Sequence, residues 1–67
     1  GTTLGAVFNA ADEEAVAAFL RGDVGFFKIY DLVERALVEH SPVQVEHLDQ
    51  VIEADLEARQ RVRSWVH

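Results

Sequence analysis

The side chains of this 67-residue chain that could do chemistry are twelve carboxylates, six basic groups and three histidines, with no cysteine. A histidine metal site asks for two ligands on one helical face, or a Glu three residues before a His. His40, His47 and His67 satisfy neither spacing. His40 reads instead as a cation-capable residue at a helix C-terminus, and His47 as an indifferent N-cap. A calcium loop needs a Gly at its sixth position and an oxygen ligand at its first. Taking Gly25 or Gly22 as the sixth places Leu20 or Ala17 first, and neither coordinates calcium. An acyl carrier needs an exposed serine opening a helix, but Ser41 is held before Pro42 and Ser64 lies near the C-terminus. No pair of carboxylates sits where its two pKa values would split, and no nucleophile, phosphate-cradling loop or oxyanion donor set accompanies them. Asp12, Glu13 and Glu14 run consecutively and read as charge for solubility.

Two groupings are more informative. At 100° per residue, Asp55 and Arg59 point within the same arc as Leu48, Val62 and Val66. An Asp followed four residues later by an Arg can pair along a helix. Such a pair is either a desolvated clamp on a neighbouring helix or a half-exposed surface pair that counts for little. On the first helical stretch, Asn9, Glu13, Val16 and Leu20 fall opposite the main apolar stripe. A solvated face would carry Lys and Glu where this one has Val16 and Leu20, which points to a neighbour beyond the bundle. Scattered surface hydrophobics are the plainer alternative.

Breaks at Gly22-Asp23-Val24-Gly25 and Ser41-Pro42 cut the chain into three stretches. Over about 4–21, the residues Leu4, Val7, Phe8, Ala11, Ala15, Ala18 and Phe19 follow the spacing of one helical face, and Gly22 supplies a stop. Over about 29–40 the stripe is Ile29, Leu32, Val33, Ala36 and Leu37, and Pro42 forbids continuation. Over about 48–65 it is Leu48, Val51, Ile52, Ala58, Val62 and Trp65. Phe26 and Phe27 are expected to pack as core aromatics against the first turn of the second helix. The expected fold is an all-α bundle of three main helices, with residues 1–67 as one domain.

Composition narrows the function. A net charge of −6 is repelled by polyphosphate backbones and anionic lipid, which disfavours nucleic-acid and membrane-surface roles. No apolar run approaches the length a bilayer needs, and no leader pattern is present, so a cytoplasmic location is expected. With 49% hydrophobic residues the chain is too apolar for a disordered acidic tail and should fold or dock. At this size a single core is marginal unless a partner surface helps.

Asn9-Ala10-Ala11-Asp12-Glu13-Glu14-Ala15-Val16-Ala17-Ala18-Phe19-Leu20, at the centre of Leu4 to Phe26, resembles the C-terminal helical domain of 1-deoxy-D-xylulose 5-phosphate reductoisomerase. Gly25-Phe26 with Ile29 and Leu32-Val33-Glu34 is similar to that family's second segment, and Val51-Ile52-Glu53-Ala54-Asp55 with Ala58-Arg59 to its last helix. Asp12 stands where the family more often has Asn, Lys28 where an acidic residue opens the helix, and His47 where a Ser or Thr cap is usual. The resemblance implies a bacterial enzyme of the non-mevalonate (MEP) isoprenoid route that rearranges and reduces its substrate to 2-C-methyl-D-erythritol 4-phosphate. It implies NADPH and a divalent metal, Mg or Mn, both bound by other domains, with the C-terminal bundle mainly structural. No catalytic, cofactor or metal position of the family falls on this chain, which alone is expected to be inactive. Its expected partners are the remaining domains of the parent enzyme, or a second copy through the exposed face. A free-standing acidic interaction module is the alternative.

Overall fold

The computed structural model describes residues 1–66. They form three helices, α1 (Leu4–Leu20), α2 (Lys28–Glu39) and α3 (Leu48–Trp65), in an all-α bundle. The expected boundaries agree to within one residue. His67, the third histidine, lies outside the described residues.

α1 ends in a Schellman turn: Gly22 N–H donates to the Phe19 carbonyl and Asp23 N–H to that of Ala18. Gly22 takes φ +83°, the left-handed conformation that a Cβ disfavours. α2 stops at Glu39, and His40 turns extended just before Ser41-Pro42. The connection to α3 then runs beside the N-terminus. Thr3 N–H donates to the Val43 carbonyl at 3.1 Å and Val45 N–H to that of Gly1 at 3.0 Å. Thr2 and Gln44 form an isolated antiparallel bridge between them. α3 opens where the Gln50 side-chain oxygen accepts from the backbone N–H groups of Glu46 and His47.

α1 is the middle helix, packed against both α2 and α3. Its inward face carries Val7, Ala10, Ala11 and Ala15, which cluster with Ile29, Leu32, Val33 and Ala36 of α2 and Ala54, Ala58 and Val62 of α3; Ala18 is buried as well. Among the described residues, seven of the twelve buried apolar side chains are alanine. That composition lets helices approach closely while removing little apolar area per residue from water.

Several residues expected inside are outside. Leu4 and Phe8 of α1, and Leu48 and Ile52 of α3, are exposed; the small residues beside them occupy the core instead, Ala10 on α1 and Ala54 on α3. Phe26 and Phe27 are exposed too. They stack edge to face on each other, and Phe26 does so on Phe19 and Tyr30. The aromatics therefore meet beside the α1–α2 turn and leave the core to smaller groups.

Candidate functional site

Glu14 follows Val7 by seven residues and Ala10 by four, so a straight helix carries its carboxylate to the buried side of α1. There it meets α3. Arg63 donates to it from Nε at 2.9 Å and from Nη2 at 3.0 Å, a two-point guanidinium contact. Arg59 adds a bond from Nη1 at 3.2 Å and, through Nη2, reaches Glu13 at 3.2 Å. Arg59 also holds Asp55 of its own helix, with Nε 2.7 Å from Oδ1. The side chain of Glu14 is only 12% exposed. The hydrogen bonds from Arg63 hold its carboxyl below the usual glutamate range; burial opposes this and Arg59 reinforces it. Asp55, Glu13 and Glu14 in turn raise the pKa of Arg59. A carboxylate so held stays ionised and acts as an acceptor between helices rather than as a proton donor.

The structure therefore brings Asp55 and Arg59 together with Glu13, and adds Glu14 and Arg63, which sequence reasoning passed over. Glu14 is the correction to the reading of Asp12-Glu13-Glu14 as charge for solubility. Its place in the repeat after Val7 and Ala10 was the available signal. The four residues of the α1 outward face have separate surroundings: Asn9 and Leu20 are exposed, Glu13 leans to Arg59, and Val16 is half-buried against the core.

A second polar cluster ties the opposite end of the bundle. Thr3, almost fully buried, shares a 2.7 Å hydrogen bond between its Oγ1 and His40 Nε2. The same oxygen accepts from Val43 N–H at 3.2 Å. The expected cation at the end of α2 is supplied by α3: Arg61 donates to the Glu39 carbonyl at 3.2 Å, whereas His40 turns to Thr3. Arg35 bonds Glu39 at 2.8 Å and stacks 4.1 Å over the ring of Trp65. Beside Thr3 and His40 lies a recess of about 400 Å³, lined also by Gln50, Glu53, Glu57 and Arg61. Its lining carries the carboxylates of Glu39, Glu53 and Glu57, one guanidinium and the hydroxyls of Thr3 and Ser41, and the His40 imidazole there is bonded to Thr3. Among the described residues no three His, Cys, Asp or Glu side chains converge so as to hold a metal ion. The side chains described therefore do not fit a divalent metal, which the resemblance assigns to other domains.

On the other flank, α1 and α2 enclose an apolar groove of about 380 Å³, with Ile29 and Val33 as floor and Phe8, Tyr30 and Leu37 as walls. Asp12 and Glu34 stand at its rim. No helix among the described residues is long and apolar enough to cross a membrane.

A family model described as DXP reductoisomerase C-terminal domain matches residues 1–61. The 1-deoxy-D-xylulose 5-phosphate reductoisomerase of Geobacillus kaustophilus is 50% identical over 64 residues, 96% of this chain and 17% of that protein. The protein of the same name from Caldanaerobacter subterraneus subsp. tengcongensis is 45% identical over 62 residues, 92% of this chain and 16% of its own length. That of Listeria welshimeri is 44% identical over 64 residues, again 96% and 17%. The chain thus spans about a sixth of the length of the curated relatives it matches. No solved structure matches it significantly.

Proposed function

We propose, since this chain belongs to the DXP reductoisomerase C-terminal domain family, that it is the structural C-terminal domain of a 1-deoxy-D-xylulose 5-phosphate reductoisomerase. In this reading the other domains bind NADPH and the divalent metal and carry the chemistry. The bundle contributes a surface on which they are held, in a bacterial cytoplasm. The observation that carries the proposal is the match over nearly the whole chain to proteins about six times longer. The structure supports it in kind. Glu14, Arg59 and Arg63 are engaged in holding α1 to α3, while large apolar side chains such as Phe27 and Leu48 face outward, as on a surface made to be covered.

The test is an assay of NADPH oxidation with 1-deoxy-D-xylulose 5-phosphate and Mg or Mn. It compares the full polypeptide encoded around this segment, the same polypeptide lacking it, and the 67-residue chain alone. Turnover by the full polypeptide and none by the isolated chain is expected. Turnover by the isolated chain, or its absence from the full polypeptide, would overturn the proposal.

A further inference from the structure

Thr3 is almost fully buried, and a hydroxyl there has one proton to place and two lone pairs to offer. One lone pair accepts from Val43 N–H at 3.2 Å. Among the described residues the only other partner of this oxygen is His40 Nε2, at 2.7 Å. The buried hydroxyl proton is therefore satisfied only when it is donated to that nitrogen. Such a bond requires a neutral imidazole with its hydrogen on Nδ1. A protonated ring carries hydrogen on both nitrogens and cannot accept, which leaves the Thr3 proton in the interior without a partner.

His40 has an alternative place to turn. It is half-buried and lines the recess of about 400 Å³. Glu39 faces this recess from α2, and Glu53, Glu57 and Arg61 face it from α3; its lining from the N-terminal segment and from the connection carries no charge. Arg35 already holds Glu39 at 2.8 Å, and Arg61 holds Glu57 at 3.2 Å. Glu53 makes no ion pair among the described residues. An imidazolium is drawn to that carboxylate, whereas a neutral ring is not.

The bond that protonation breaks supports more than two side chains. Thr3 N–H donates to the Val43 carbonyl and Val45 N–H to that of Gly1, and these two bonds clip the start of α1 to the connection before α3. We infer that Thr3, His40 and Glu53 form a pH-sensitive latch: neutral His40 locks the clip through Thr3, and protonated His40 turns to Glu53 and loosens it. The inference stands on this geometry and is independent of the reading of the chain as a reductoisomerase domain.

Amide hydrogen exchange of the full encoded polypeptide, resolved to single residues by mass spectrometry, tests it from about pH 8 to 5, the range in which imidazoles titrate. Exchange of the His40 Cε1 hydrogen on the same sample reports the charge of the ring. Protection of the Thr3 and Val45 amides, corrected for the intrinsic pH dependence of exchange, should fall as His40 takes up its proton. A fall of roughly fivefold is expected, the net effect of one buried hydrogen bond, while Gly22 and Asp23 in the turn after α1 keep their protection. His40→Gln retains an acceptor that does not titrate, so the step should vanish whether the clip stays closed or is loose throughout. Should that variant fail to fold, Glu53→Gln decides: it changes an exposed side chain, and the step should shrink or move to lower pH. Protection indifferent to the charge of His40 would overturn the inference. So would a step that persists in His40→Gln, or one that keeps both its size and its midpoint in Glu53→Gln.

Discussion

Thr3 and His40 stand 37 positions apart in the chain and share a 2.7 Å hydrogen bond. The bond joins the residue that precedes α1 to the residue that follows α2. Because Thr3 Oγ1 also accepts from Val43 N–H, one buried hydroxyl fixes the start of α1, the end of α2 and the strand-like connection to α3. Thr3→Val keeps the shape and removes both bonds. It should cost about 1–2 kcal/mol, the range for a buried hydroxyl with two partners. Urea unfolding checks this, and Thr3→Ser, which retains the oxygen, should lose less.

Glu14 makes the stability of the bundle pH-dependent. Its carboxyl lies below the ordinary value of 4.5 because Arg63, then Arg59, favour the ionised form over the cost of burial. The unfolded chain therefore takes up the proton first as pH falls. The stabilisation is fully present above 4.5 and is lost as pH drops from there through the lower folded value. Glu14→Gln should lower stability at neutral pH by roughly 1–2 kcal/mol, between an exposed pair and a buried charged hydrogen bond. Thermal melts across the acid range should also show a shallower pH dependence for the variant.

Gly22 is held at φ +83° with no atom within 4 Å of where a Cβ would stand. The penalty of Gly22→Ala is thus backbone strain alone, about 1–2 kcal/mol. Gly22→Asn should cost less, since Asn tolerates this conformation better. Denaturant midpoints of the two variants give the order.

Ala15 is fully buried at the centre of the core cluster. Ala15→Leu inserts three carbons where helices already touch. It should cost about 1–3 kcal/mol or more, which for a domain of this size lowers the melting midpoint by roughly 4–8 °C per kcal/mol. Calorimetry measures the drop. A rise in midpoint would mean that α1 can move away from its neighbours without loss.

Helix positions were legible because Gly22 and Pro42 punctuate the chain and each stretch keeps a helical repeat. The inward direction of each helix was legible less well. Helical spacing put Phe8, Leu48 and Ile52 inside, and Phe26 and Phe27 were expected as core aromatics, whereas Ala10 and Ala54 join the expected Ala58 in the interior because helices that approach closely leave room only for small groups. The pairing of Asp55 with Arg59 followed from helical geometry. The link from Arg59 to Glu13 and Glu14, 46 and 45 positions away, required knowing which helix lies alongside. Likewise, a chain read one residue at a time places His40 at a helix end but does not reveal Thr3 beside it.

The alanine interior sets how this bundle responds to temperature. Unfolding exposes little apolar carbon per residue, and it is newly hydrated apolar carbon that raises heat capacity. The free energy of the isolated bundle should therefore vary gently between cold and warm conditions. Steeper curvature would come only when Phe8, Tyr30 and their neighbours are covered, so the thermal profile of the segment would report its assembly as much as its own folding.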